Sequence, residues 1–165
     1  MNATPTTPVV ILESVRTSIA NALNMEGERV FLTPAPELLG KVPPASEAFA
    51  ALVPAGLTFE DSPQHPPICP ANLRFDVCIF SRVALDRAFD GSKLLTDSQR
   101  GLLVLADAVI RAMAGTSLEQ SDSQYLRAPL ECLSVDVTRW AEGGNIVLAY
   151  VVIHFNAPFL YNLSA

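Results

Sequence analysis

The chain has 165 residues, a length typical of one domain and sufficient to bury a core without disulfide or metal cross-links. Half of the residues are apolar and only 17% are charged, which excludes an intrinsically disordered chain. The formal net charge of −6 argues against a protein that grips nucleic acid through a basic face. The longest apolar run, 146–153, has eight residues, far fewer than the roughly 20 of a membrane-spanning helix.

The excess of arginine over lysine favours a protein that buries part of its surface against other subunits. Nine of the eleven cationic residues are arginine, the cation favoured in protein–protein interfaces. A GC-rich genome would also enrich arginine, alanine and proline, so both explanations stay open. The low charge and a mean hydropathy of +0.30, without a membrane segment, favour a subunit that buries surface against its neighbours.

Cysteine usage and the first residues predict a cytosolic type of chain. Cys69, Cys78 and Cys132 form no closely spaced pair, and residues 1–8 contain no basic, apolar-cored leader. We therefore expect reduced thiols and no disulfide framework.

The chain opens with a predicted amphipathic helix over 8–24. Thr7 is suited to the N-cap, and Pro8 to the first helical position. The apolar stripe recurs every three or four residues: Leu12, Val15, Ile19 and Leu23. A short strand is predicted next, over 29–32.

Residues 34–70 predict an irregular, proline-rich insertion. Nine of the thirteen prolines fall in this segment, which disfavours any long regular element. Within it, 46–53 predicts a short helix that Pro54 ends, and 57–60 a short strand. Such a long loop is usually functional or docked on a partner.

The next two elements have regular periodicities. Apolar and polar residues alternate over 73–79, which predicts a half-buried strand. Residues 96–99 match a capping box, and the helix that follows is predicted to end at Gly115.

The last third predicts a β-hairpin followed by an apolar tail. Strands over 133–138 and 146–155 flank a turn signal at 142–145. The second strand is apolar on both faces, so we expect it in the centre of its sheet, with a neighbouring subunit as a natural cover for the face without helices. Pro158 is predicted to stop it, and the tail, 156–165, to dock either on its own core or on another subunit.

No motif for catalysis, a metal or a cofactor is present, so we expect a non-enzymatic protein without any of them. The chain lacks a nucleophile elbow, a phosphate loop and paired metal-ligand spacing. His154 is expected to be a satisfied or edge histidine. Asp76 and Asp136 could converge as an acid–base pair, but we favour surface pairing with Arg74 or Arg139. An enzyme would lose turnover when either aspartate is changed.

Basic residues gather around the polar loop that follows the strand at 73–79. Arg82, Arg87 and Lys93 are interspersed with acidic residues and lack aromatic neighbours. A solvated loop or an interface rim is therefore expected rather than a groove for nucleic acid.

The element order predicts a single α+β domain, residues 1–165, with a mixed or antiparallel sheet of about four strands packed against two main helices. The opening helix running into 28–31, the strand at 73–82, the helix at 105–113 and the hairpin of 135–140 with 146–155 carry a family resemblance. In these elements the chain resembles the tail terminator (tail completion) proteins of long-tailed bacteriophages. The longer insertion at 34–70 and the apolar tail depart from that pattern.

The resemblance implies a structural role in the virion. Such proteins form a homohexameric ring that caps the tail tube, ends its polymerisation and offers the surface for head joining. The implied partners are further copies of the chain, the tail tube protein and a head–tail connector protein, with DNA passing through the lumen without sequence readout. The implied location is the tail or neck, and the host cytoplasm during assembly.

Two surfaces are assigned on this basis. Loop 84–95, or part of 34–70, is expected to face the lumen or the tube, with these candidate residues: Arg82, Arg87 and Lys93. The tail is expected to supply a subunit interface: Phe159, Leu160, Tyr161 and Leu163. Another neck, connector or small tail subunit would have much the same sequence features. A free-standing ligand-binding regulatory module, with a pocket between sheet and helices, is the alternative from another class.

Overall fold

The computed structural model describes residues 7–34, 49–60, 68–84, 101–116, 118, 126–141 and 146–162. In chain order these residues form α1 (Thr7–Ala22), a 3₁₀ turn (Gly27–Arg29), β1 (Val30–Leu32), β2 (Phe49–Phe59), β3 (Ile68–Ala84), α2 (Leu102–Met113), β4 (Glu131–Ala141) and β5 (Ile146–Asn162). The prediction of a single α+β domain is confirmed, with five strands instead of about four.

The five strands form one sheet in the order β1-β2-β3-β5-β4. β1 pairs in parallel with β2, and every other neighbouring pair is antiparallel. β3 and β5, each 17 residues long, pair along their whole length. The prediction that the last strand is central is confirmed, because β5 lies between β3 and β4.

The two helices cover one face of the sheet, which we call the inner face. Each helix buries apolar side chains against this face: Val15 and Ile19 from α1, and Val109 and Met113 from α2. These side chains pack against every second residue of the strands, the ones that point toward the helices. In the same core, Phe75 and Phe155 stack with ring centroids 5.5 Å apart. Alternation in the strands and helical spacing in α1 and α2 therefore produce one continuous core.

The predicted short helix at 46–53 is wrong for the residues that the structure describes. Residues 49–53 begin β2, and all five are buried. This segment has apolar neighbours on both faces and a strand on each side, so its sequence lacks the alternation that usually reveals a strand. Pro54 does not end an element; it lies at a shift in the β2–β3 register between Pro54 and Gly56, where a proline is tolerated. The predicted strand at 57–60 is the second half of β2.

Pro158 does not stop the last strand, contrary to the sequence-based prediction. β5 continues to Asn162, and Pro158 pairs with Asn72 of β3. The carbonyl of Pro158 accepts a hydrogen bond from the Arg127 amide, on the side away from β3. In an antiparallel strand the N and O atoms of one residue point the same way, so the missing N–H costs no bond to β3.

The C-terminal ends of both helices fit the sequence closely, but α2 begins at Leu102, after the extended Gly101, and not at the predicted capping box. α1 stops two residues before the predicted end at 24, and Gly115 follows α2 with φ of +77°, the conformation for which glycine is favoured. The predicted capping box at 96–99 and hairpin turn at 142–145 lie outside the described residues. On either side of that turn, Ala141 pairs with Val147, as the predicted hairpin requires.

Replacing Phe75 with alanine should destabilise the domain severely. Phe75 is fully buried and stacks on Phe155, so truncation leaves a cavity and removes an aromatic pair. We expect the free energy of unfolding to fall by about 3–5 kcal/mol, measured by urea denaturation. The control is V9A, because Val9 is 45% exposed on α1; it should change stability by less than about 0.5 kcal/mol. Equal effects of the two changes would contradict the assigned core.

Candidate functional site

The outer face of the sheet, opposite the helices, carries most of the side-chain chemistry of the described residues. It has two halves of different character. One half is an aromatic row, and the other is a cluster of carboxylates around a histidine.

The aromatic row crosses four strands. Phe31 of β1 meets Phe49 of β2 edge to face, with ring centroids 6.0 Å apart. Phe49 stacks on Phe80 of β3 at 4.7 Å, and Phe80 stacks on Tyr150 of β5 at 5.1 Å. Phe49 and Phe80 are buried, and Ala51, Val53 and Cys78 pack with them. The row is a second, smaller core that holds β1 and β2 to the centre of the sheet.

The histidine cluster joins β3, β5 and β4. His154 of β5 lies opposite Asp76 in the β3–β5 register. Its Nδ1 is 2.7 Å from Asp76 Oδ1, and its Nε2 is 3.0 Å from Asp136 Oδ2 on β4. The side chains of Asp76 and His154 are about three-quarters shielded from solvent, whereas that of Asp136 is 67% exposed. One imidazole thus links the two strands that flank its own.

This geometry favours the doubly protonated ring. An ionised carboxylate only accepts hydrogen bonds, so both ring nitrogens of His154 must donate, which only the imidazolium can do. Burial lowers the pKa of His154, but hydrogen bonds and charge from Asp76 and Asp136 outweigh burial and raise this pKa above its ordinary value. Neither nitrogen is left to accept a proton from a nucleophile in this arrangement.

The favoured pairing with arginine is corrected for Asp76, whereas the side chain of Arg139 lies outside the described side chains. Both carboxylates bind His154, because the three side chains lie on the same face of adjacent strands. The expectation that His154 is satisfied is confirmed by its two hydrogen bonds. The sequence held one signal for the cluster: His154 is a polar residue inside a strand that is otherwise apolar on both faces.

Further polar contacts continue the outer face toward the start of β3. The Asn156 amide donates to Glu131 on β4 at 3.0 Å, and the Asn72 amide donates to Glu60 at 3.1 Å. Arg127 also bonds Glu60. These contacts link four segments that are distant in sequence, and they are open to solvent at Glu60 and Glu131.

β4 lies at the edge of the sheet with apolar side chains exposed. Val135 and Val137 face the helix side, opposite Ile153 and Val151, yet remain 38% and 49% exposed. Leu133, at a register shift next to them, is 52% exposed. In the part of the chain that the structure describes, β4 pairs only with β5, so its second edge has no strand partner. An edge of this kind is a template for pairing with another chain.

The tail residues assigned to a subunit interface divide into three groups. Phe159 is fully buried in the chain's own core, so its assignment to an interface is corrected: its side chain cannot contact a neighbour in this fold. Leu160 and Tyr161 are half-buried, and Tyr161 packs edge to face on Phe59 at 5.4 Å. Leu163 lies outside the described residues. Residues 156–162 of the tail form the end of β5 and pair with β3 of the same sheet.

The basic residues assigned to a lumen-facing loop are only partly described. Arg82 lies on β3 opposite Leu148, and Arg87 and Lys93 lie outside the described residues. No cluster of three potential metal ligands with suitable geometry occurs among the described side chains. Cys69, Cys78 and Cys132 form no disulfide bond with one another, and burial raises the pKa of Cys132.

Comparison with known proteins does not assign the chain to a family. Neither a protein-family model nor a curated protein sequence matches the chain. Neither of the two described helices is long and apolar enough to cross a membrane.

The two aspartates of the histidine cluster should contribute unequally to stability. Asp76 is the more buried partner and makes the shorter bond. We expect D76N to lower the free energy of unfolding by about 1–2 kcal/mol, and D136N by less than about 1 kcal/mol, because exposed ion pairs contribute little. Urea denaturation at pH 6 measures both. A larger loss in D136N than in D76N would contradict the assigned burial.

Proposed function

We propose that this chain is a structural subunit of a phage tail that assembles, like the tail terminators it resembles, as a ring at the end of the tail tube. In this role the ring ends polymerisation of the tube and offers a surface to the head–tail connector, and DNA passes through the lumen without being read. The chain acts through its surfaces, and no reaction is assigned to it.

The observation that carries the proposal is the edge strand β4. Among the described residues its second edge has no strand partner, and this edge lies beside the exposed side chains Leu133, Val135 and Val137. Three exposed apolar side chains on an edge strand of 11 residues are suited to contact with the next subunit of an assembly.

Charge supports the same role. The net charge of −6 weakens any grip on the phosphate backbone, which suits a channel through which DNA must move. Half-buried Leu160 and Tyr161 remain candidates for the rim of a subunit contact, and Arg82, Arg87 and Lys93 for a surface that faces the lumen or the tube.

The mass of the purified protein in solution tests the ring. We expect light scattering coupled to size exclusion, over a range of concentrations, to detect a species near six times 17.7 kDa with a central hole in negative stain. If the chain is monomeric, purified tail tubes are added and their ends imaged. Uncapped tubes together with a monomer would overturn the proposal, and a melting temperature raised by a small metabolite would then favour the ligand-binding alternative.

A paired substitution tests the assigned contact surface. V137K places a charge on the apolar edge of β4 and should weaken assembly or capping, because burying an unpaired charge in an interface is costly. The control is V9K, a valine of nearly equal exposure on α1, which should assemble as the unmodified chain does. Both variants must first keep the circular dichroism spectrum and melting behaviour of the unmodified protein. Normal assembly of V137K would remove β4 from the interface.

A further inference from the structure

Three neighbouring strands of the sheet are joined on its outer face by one ionisable ring. We propose that His154 is a proton-operated clamp: when protonated it ties the edge strand β4 to β3 across β5, and when neutral it releases Asp136 and loosens β4. The clamp is a property of the single chain and does not depend on the proposed ring.

The number of ring protons sets the number of bonds. The imidazolium has two N–H groups, one for Asp76 and one for Asp136, at 2.7 and 3.0 Å. A neutral imidazole has one N–H and one lone pair. The lone pair would then face a carboxylate oxygen at hydrogen-bonding distance, with no proton between them. Loss of one proton therefore breaks one of the two links and leaves repulsion in its place.

Burial decides which link breaks. Asp76 is the more shielded carboxylate, so leaving it without its donor costs more free energy than leaving Asp136, which is 67% exposed and can turn to water. The remaining proton is therefore held on Nδ1, toward Asp76. The released strand is β4, which has a strand partner on one side only among the described residues.

Among the described side chains, the charged groups that face His154 lie on its two neighbouring strands. Asp76 and Arg74 lie on β3, and Asp136 and Glu131 on β4, so carboxylates outnumber guanidinium groups in this part of the chain. On β5 itself the neighbouring side chains of the same face are uncharged: Val152 and Asn156. Glu131 bonds Asn156 and not the ring, which makes it a natural control for Asp136.

The direction of the pH dependence follows from this arrangement. Because folding raises the pKa of His154, the stability it supplies is complete below the pKa of the unfolded chain and is lost as pH rises through the higher, folded pKa. We therefore expect the clamp to be closed in mild acid and to open as pH rises above the ordinary histidine pKa of about 6.5.

Imidazole nitrogen resonances read the protonation state directly. The chain has two histidines, so H65N leaves His154 as the only imidazole. Its titration should show a pKa above 6.5 and, at high pH, the tautomer with its proton on Nδ1. D136N should lower this pKa, whereas E131Q, a carboxylate change on the same strand and face, should lower it much less. Equal shifts in the two variants, or an ordinary pKa in the parent, would overturn the clamp.

Amide hydrogen exchange measures how far β4 loosens when His154 loses its proton. After correction for the intrinsic pH dependence of exchange, protection of the β4 amides should fall about two- to fivefold as His154 loses its proton, because the link that breaks is the pair with the exposed Asp136. Amides of the β2–β3 pair serve as the internal reference and should not change. H154Q should abolish the pH step in β4; a step that persists in H154Q, or protection of β4 that is constant with pH in the parent, would refute the proposal.

Discussion

The pairing of β3 with β5 is the interaction on which the rest of the structure depends. These strands are bonded along 17 residues each, and every other described element is placed relative to them. The helices pack on their inner face, β2 and β4 flank them, and both halves of the outer face use their side chains. The alternation of Phe75 and Val77 with Asp76 and Cys78 therefore has a double role. One phase builds the core, and the other builds the outer face.

Elements with a clean period could be predicted from the sequence, and the apolar β5 could be predicted from the turn signal before it, but the first half of β2 could not. α1, α2 and the centre of β3 have a polar side, so their spacing shows which face is buried. The first half of β2 has no polar side, because strands flank it and apolar side chains cover both its faces. Proline was equally misleading. Its effect depends on which neighbour its missing N–H would have faced, and at Pro158 that neighbour is not β3.

The candidate site was predictable only in part, for a related reason. The sequence marked Asp76, Asp136 and His154 as polar residues on strands, but it could not give the strand order. Only the order β3-β5-β4 places the histidine between the two aspartates. Without the strand order, the sequence favours pairing of each aspartate with the arginine nearest to it in the chain. Phe159 is a second example. From the sequence, an apolar residue in the tail suggests contact with another subunit, but the strand register pairs Phe159 with Ala71 in the core of its own chain.

The order of the strands in the chain has a consequence during synthesis, because β3 is made long before its partner β5. β3 is central, yet one of its two neighbours is β5, and the contact between Asp76 and His154 joins residues 78 positions apart. While the ribosome adds the residues between them, the edge of β3 that will pair with β5 stays exposed to solvent. Such non-local pairings form slowly, and chains caught before closure aggregate easily. A chaperone that shields the edge of β3 until β5 emerges would therefore limit this aggregation.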